Sequence, residues 1–575
     1  MIQPSSRLKS IAALLFTLVL LACSWAGMSI YMPESNAPFN LPEKLLRTVK
    51  AVMGNDPASA SFPSEKLPWQ LVVAKVLATG VLLIGLFKVV EQFFFEHYTQ
   101  LRLLFKRRPT LVVGMHGKGK LLLDDLKKNH GETAVVIERK RDHPDIRQVR
   151  RSGHLAVFGN AADGDVLKDA GIGKASRLIS FLSDEQLSIA ILQTLHANLR
   201  HKRLGDPLDC YLHLSNARVT QLVQQSALFH PEAESGLRLH FFNLHHMLAR
   251  QFFHQFARSY AAEFAAGKAS FCLSFLGWDE FSRALVLQAL QVLHLHPPGG
   301  VRLQAGAADP ERAEQDFLQT YPRAAAVLPL SFFRYDGNYR AFLETHVLNQ
   351  DPGCTQLLIL GAEQDGGGLA TALDILHATP AEDFVLYTRN ATNKGLSALL
   401  QLRQEAHPRL RFYGRLASVC TMEMITLSTQ DRLARAMHED YLAQLRASSA
   451  SESSVYQTPW EALPEDAKDA NRAQADHLPF KLAQLGCLDA LAHPKDINLP
   501  AEAIEALAQS EHQRWMAQRL LAGWSYGSCR DNLRRLHPSI VPWEQLSAAE
   551  QQKDRDTILR IPMLLHTLRN GQGGS

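Results

Sequence analysis

The sequence predicts a membrane α-helical hairpin followed by α/β architecture, namely two doubly wound parallel-sheet domains and then a helical C-terminal module. Three observations carry that prediction. Two long apolar runs lie near the start, Ile11 to Tyr31 and Trp69 to Val90. Short apolar runs then alternate with helical patterns, at the pace of a parallel sheet with crossover helices. The last part reads as helix throughout and repeats itself.

Composition narrows the classes. A chain of 575 residues has room for several domains at roughly 150 residues each. Its 46% hydrophobic and 21% charged residues are ordinary for globular protein. A formal net charge of +4 is too small to make an electrostatic case for nucleic acid. The seven cysteines stand singly, without a C-x-x-C pair or a Cys/His cluster along the sequence. Neither a disulfide framework nor a metal site is predicted, and single buried thiols in a reducing cytoplasm are the simpler reading.

The hairpin comes first (residues 1–108, spans at about 11–31 and 69–92). Ile11 to Tyr31 contains no charge and, at 1.5 Å per residue, is long enough for a hydrocarbon core of about 30 Å. The second run carries Lys75 near one end and Lys88 with Glu91 near the other, where long side chains snorkel to the interface. Arg7 and Lys9 precede the first run and Lys106, Arg107 and Arg108 follow the second; the loop 32–68 carries four Lys/Arg and four Asp/Glu. The positive-inside rule then puts both termini in the cytoplasm of a multi-pass inner-membrane protein. A second reading of the start is a signal peptide with lipoprotein-type cleavage near Leu20-Leu21-Ala22-Cys23, against which the apolar run continues to Tyr31.

The first cytoplasmic domain spans 109–265. Strand Leu111-Val112-Val113 leads into Gly114-Met115-His116-Gly117-Lys118-Gly119, a helix through Leu126 and a second strand ending at Glu138. Strand, glycine turn, helix, strand and acid is the order of a dinucleotide fold. The turn lets backbone approach phosphate, the helix N-terminus offers free amides to an anion, and the acid holds a ribose hydroxyl. His116 stands where the middle glycine belongs, which favours an adenosine monophosphate-type ligand or none, and Gly117 shifts the turn. Further strands are predicted at Leu155–Phe158, Arg177–Phe181, Leu208–Leu214 and Leu237–Phe242, with Gly159-Asn160-Ala161 after the third. Gly114, His116, Gly117, Gly119, Glu138, Gly159, Asn160 and Ala161 are the predicted ligand-binding residues. This stretch resembles the RCK (TrkA-N) domain, a Rossmann-like domain whose third strand is followed by Gly-Asp-Ala; Asn160 replaces the aspartate. The resemblance implies binding of NAD or another adenine nucleotide, ligand-controlled gating of ion flux and assembly through paired domains.

From Ser270 the pattern restarts. Strands are predicted at Phe271–Leu276, Ala325–Leu328, Leu357–Leu360 and Phe384–Tyr387, with Gly277 as the remnant of the first turn and a glycine cluster at Gly366–Gly368. This reads as a second, degenerate Rossmann-like domain, 268–418, that serves as a docking or dimerisation layer rather than for phosphate binding.

The helical module, 425–568, contains two related halves. Pro459-Trp460-Glu461 echoes Pro542-Trp543-Glu544, and His438 parallels His512. The second half (505–565) resembles the RyR domain, the repeated helical module of ryanodine receptors, through His512, Trp515, Arg519, Gly523-Trp524, Tyr526-Gly527, Arg530-Asp531, His537-Pro538 and Val541-Pro542-Trp543. Trp515, Trp524, Tyr526 and Trp543 with Arg519, Arg530 and Arg555 have the chemistry to stack a base and clasp a phosphate in a cleft. The opposing reading is a tryptophan core braced by arginines.

Two helices, an outer loop and an RCK-like domain form the layout of a tetrameric potassium-channel subunit. The loop holds one glycine, Gly54, against the several a carbonyl filter needs, so a pore is allowed without a case for potassium selectivity. The expected function is a ligand-gated ion channel or pore effector, a homo-oligomer in the lipid bilayer that takes a nucleotide-type ligand. The alternative is a non-conducting, membrane-anchored nucleotide sensor or scaffold. No catalytic constellation accompanies the turn, so enzymatic activity is not expected.

Overall fold

The computed structural model describes residues 107–570 except 200–206, most of 217–235, 268, 296–299, 348–352, 362–364, 380–383, 391–406, 427–429, 448–456 and 492–496, with scattered positions before 107. The chain divides into two units, Met1–Lys106 and Arg107–Ser575. In the first unit the two predicted spans lie almost wholly outside the described residues. Among those described, no helix is long and apolar enough to cross a membrane. Trp69, Val72, Val73 and Val76 are helical and expose apolar side chains.

The second unit opens with a six-stranded sheet: β1 Thr110–Val113, β2 Val135–Glu138, β3 Leu155–Phe158, β4 Arg177–Ser180, β5 Leu208–His213 and β6 Leu237–Phe242. Every pairing is parallel and the order is β3-β2-β1-β4-β5-β6. β1 and β2 are buried along their whole length, which is why they read as unbroken apolar runs rather than alternating ones. Helix α1 (Gly117–Asn129) follows β1 and buries Leu122, Leu123 and Leu126 on one face. The order reverses between β1 and β4, so the crevice above their C-terminal ends is the switch point where such sheets take ligands.

After β6, helix α2 (Leu244–Ser259) leads into a second sheet. It contains β7 Phe271–Leu276, β8 Val301–Ala307, β9 Leu330–Arg334, β10 Thr355–Leu360, β11 Phe384–Arg389 and β12 Leu410–Tyr413. Its order, β12-β11-β10-β7-β8-β9, is that of the first sheet read from the other edge, and all its pairings are parallel. The second domain therefore keeps the complete Rossmann topology. The expected strand at Ala325–Leu328 is corrected: Ala324–Ala326 is a 3-10 turn and β9 begins after Pro329. Gly366–Gly368 fall inside a helix, Asp365–Ala378, rather than in a phosphate loop.

The C-terminal module is built from helices α3 (Gln430–Ala447), α4 (Glu465–Gln484), α5 (Ala501–Leu521) and α6 (Ala548–Leu559). Its two halves repeat in three dimensions. His438 Nε2 lies 2.8 Å from the Thr458 carbonyl oxygen, and His512 Nε2 lies 2.8 Å from that of Val541. Trp460 and Trp543 each open a 3-10 turn behind a proline and are both buried. Arg472 donates twice to Asp431 at 2.7 and 2.8 Å, and Arg555 donates twice to Glu505 at 2.7 and 3.1 Å.

Candidate functional site

The glycine turn follows from the sequence atom by atom. Gly114 sits at φ +86°, a conformation side chains other than glycine rarely adopt. Gly119 is buried in α1's first turn; a Cβ there would stand 2.0 Å from the Gly114 carbonyl oxygen. Only glycine lets the helix start so close to the strand end. Gly117 is different, because a Cβ there would meet nothing within 4 Å. Space above the turn is open on that side. No acid occupies the first turn of α1 and its N-cap makes no side-chain hydrogen bond, so no side chain caps the first turn.

The acid sits where the sequence put it. Glu138 is buried at the end of β2, where its Oε2 accepts from the Met115 N–H (3.1 Å) and its Oε1 from the Lys140 N–H (3.2 Å). The Gly159 N–H donates to the Glu138 carbonyl oxygen at 3.0 Å, bringing the end of β3 against the end of β2. Asn160 closes a local turn by accepting from the Ala162 N–H at 3.1 Å, and Ala161 is buried. All eight predicted residues therefore share the C-terminal edge of β1, β2 and β3. His116 does not fill the turn. Its ring leans edge-on toward His143, 4.8 Å between centroids.

Sequence reasoning missed two histidines at this edge. His213 ends β5 and His245 begins α2, with ring centroids 6.5 Å apart. Burial, then the charge of Lys118, pulls the pKa of His213 down to about 3; the same two causes, in the same order, bring His245 to about 3. Both are neutral at physiological pH, so Lys118 supplies the positive charge. Their spacing along the chain gave no signal, since β5 and α2 meet only through the fold.

The corresponding turn of the second domain is already filled. Helix Glu280–Val292 begins behind Asp279, whose Oδ1 accepts from the Ser282 N–H at 2.7 Å, and Glu280 stands in its first turn. A carboxylate occupies the place a phosphate would take. This is the physical form of the degeneracy read from the sequence.

In the helical module, most of the seven predicted cleft residues are engaged with one another and with their neighbours. The Arg519 guanidinium lies 5.7 Å from the Trp515 ring and 5.1 Å from the Trp524 ring. Arg555 covers Trp543 at 5.4 Å while paired to Glu505, which also accepts from Trp543 Nε1 at 3.2 Å. His512 is 5.9 Å from both Trp515 and Trp543 and joins the two groups. Tyr526 is exposed, and Arg530 donates to Asn532 Oδ1 at 3.0 Å. Burial, then Arg530 and Arg519, lowers the pKa of His537 to about 4. A cavity of about 300 Å³ opens on another part of α5, between Met516 and Leu520 and the β8–β9 region around Val301 and Leu328. It is lined mainly by apolar side chains.

The TrkA-N domain family matches residues 110–204, and the RyR domain family matches residues 495–568. Among curated proteins, the glutathione-regulated potassium-efflux system protein KefC of Cronobacter sakazakii is 25% identical over 154 residues, 26% of this chain and 24% of that protein. KefC of Escherichia coli is 24% identical over 152 residues, again 26% and 24%. The match covers about a quarter of the length of these curated relatives. Among solved structures, the GsuK channel bound to NAD is 12% identical with a TM-score of 0.36, covering 74% of this chain and 85% of that one. GsuK bound to ADP is 15% identical with a TM-score of 0.35, covering 71% and 96%.

Proposed function

We propose that this chain regulates ion flux, potassium flux in particular, across an inner membrane, through a nucleotide-type ligand held at the turn 114–119. The ligand class is an adenine nucleotide such as NAD, with its phosphate on the amides at the start of α1, near Lys118. Glu138 takes the ribose. The observation that carries this reading is the Gly114–Gly119 approach beneath an open Gly117, at the switch point of a parallel sheet. The TrkA-N match covers the same strands, and the named activity of the KefC relatives supplies the ion. The apolar side chains exposed at Trp69, Val72, Val73 and Val76 fit a lipid-facing helix. The ligand acts by preferring one of two states, through its differential affinity for them. The RyR-like module is the second place where a nucleotide would act, and the assembly is a homo-oligomer, a dimer of domains or a tetramer. The chain has both termini in the cytoplasm and is not an enzyme.

Single-channel recording on the full chain in planar bilayers, with NAD, NADH, ADP or ATP added, tests this. Conductance whose open probability follows one nucleotide is the expected result. A second reading has its own support: the loop 32–68 holds one glycine, Gly54, too few for a filter of the T-V-G-Y-G kind. A bilayer silent under every nucleotide, with nucleotide binding retained, would establish a non-conducting sensor or scaffold instead.

A further inference from the structure

Beside the glycine turn, the fold gathers three side chains, two of which, His116 and Glu138, also belong to the nucleotide reading. His116 ends the loop after β1, Glu138 ends β2, and His143 stands in the loop beyond it. One ligating atom from each lies within 4.8 Å of the other two. The sequence hid this cluster because its members are spread over residues 116–143 without a familiar spacing.

We propose that His116, Glu138 and His143 bind a transition-metal dication of the zinc class. His143 Nε2 and His116 Nδ1 are 3.4 Å apart. Two nitrogens on one tetrahedral zinc, each about 2.0–2.1 Å from the metal, stand roughly 3.3–3.4 Å apart, so the imidazoles already hold the required separation. Glu138 completes the set by a small rotation. Each of its oxygens accepts one backbone N–H and keeps a second lone pair. It is buried, and both donors it meets among the described residues are neutral amides, so a cation would offset a charge otherwise held by dipoles alone.

The donor set selects the metal. Two imidazoles and a carboxylate suit zinc, cobalt or nickel, whereas magnesium and calcium demand oxygen ligands. His116 is exposed, so the fourth position faces solvent and takes water or an anionic oxygen.

Binding requires one tautomer change. His143 Nδ1 accepts from the Asp145 N–H at 3.3 Å, a long contact that leaves the ring proton on Nε2. On metal binding that proton moves to Nδ1 and the long contact with the Asp145 N–H is given up; the Asp145 carboxylate stays paired with Lys120 at 2.7 Å. No proton is lost from His143.

The two readings share His116 and Glu138, but the zinc test contains no nucleotide, so its failure and the failure of the nucleotide reading are distinguishable. Full-length protein in detergent, stripped with a chelator, is titrated with Zn²⁺ by calorimetry and with Co²⁺ by visible absorption. The expected results are one equivalent of zinc and the intense d–d bands of low-coordinate cobalt, with no response to Mg²⁺ or Ca²⁺. His116→Ala is the decisive variant, since an exposed side chain is removable without unfolding the domain. It should weaken zinc binding at least about 100-fold, the upper end of what even a supporting residue costs. His143→Ala should do the same. Absence of stoichiometric binding, or zinc affinity unchanged in folded His116→Ala, would overturn the proposal.

Discussion

Gly119 and Gly117 stand two residues apart in one turn, yet they answer to different constraints. A methyl on Gly119 would collide with backbone, the Gly114 carbonyl oxygen at 2.0 Å, which has no rotamer to escape into. Gly119→Ala should therefore cost roughly 3 kcal/mol or more, at the upper end of overpacking effects, and lower the melting temperature of the whole α/β unit. Gly117→Ala meets open space and should leave stability unchanged or slightly raised, because alanine is the better helix residue. Its methyl projects into the space assigned to ligand. Thermal unfolding read beside calorimetric NAD binding separates the two: loss of fold at 119, loss of affinity at 117. The sequence marked both glycines alike, since a motif records residue type and not what lies opposite each Cβ. For the same reason it placed Glu138 at the end of the second strand but gave no sign of its grip on the Met115 N–H. His213, His245 and His143 carried no mark at all, being neighbours of the turn only through strand order.

At the scale of elements, legibility followed burial pattern. β1, β2, β4 and β7 are buried along nearly their whole length and were evident as apolar runs. β8 was not seen, because Arg302 and Gln304 interrupt it. β9 was misplaced onto the more apolar Ala-Val-Leu stretch before Pro329. The C-terminal repeat was legible in its Pro-Trp and His landmarks, while the matching Asp431–Arg472 and Glu505–Arg555 pairs became visible only in three dimensions. Those pairs differ in depth. Side chains of Arg472 and Asp431 are 12% and 13% exposed, those of Arg555 and Glu505 26% and 41%. Removing one partner of a buried pair strands a charge, at a cost of about 3 kcal/mol, whereas an exposed pair is worth about 1 kcal/mol or less. Arg472→Leu should accordingly lower the urea midpoint clearly more than Arg555→Leu. Equal shifts would mean that tryptophan packing, rather than the ion pairs, holds both halves.

Across the second unit as a whole, the modules are joined by buried polar contacts. Asp125 on α1 accepts from the Met422 N–H at 2.9 Å, tying the ligand-facing helix to the segment that enters the C-terminal module. Arg250 on α2 clasps Asp476 on α4 at 2.6 and 2.7 Å, and Gln288 reaches the same carboxylate at 3.2 Å. His477 Nε2 and Ser510 both bond the His294 carbonyl oxygen. Around these joints lie imidazoles that burial keeps neutral: His213 and His245 near pKa 3, His246 and His294 near 4, against an ordinary 6.5. A histidine with a depressed folded pKa contributes its full stability above 6.5, where both states are neutral. Below that value the unfolded chain takes up protons the folded one refuses, and each such group removes about 1.4 kcal/mol per pH unit until its folded pKa is reached. Asp476, held near 2 against an ordinary 3.8 despite its burial, chiefly by Arg250, has the opposite charge and a lower window. Its contribution is intact above 3.8 and is lost as pH falls through 2. Melting temperature should hence be level above pH 7, fall steeply between 6.5 and 4, and owe that fall to histidine rather than to carboxylate protonation. His213→Leu should flatten the slope in that interval by about one proton, and Asp476→Asn should lower stability at neutral pH without changing it. Because His246 and His537, both near 4, would still contribute, the decisive result is the size of the slope: a slope between 6.5 and 4 undiminished by removal of His213, His245 and His294 together would show these three rings to be charged in the folded chain.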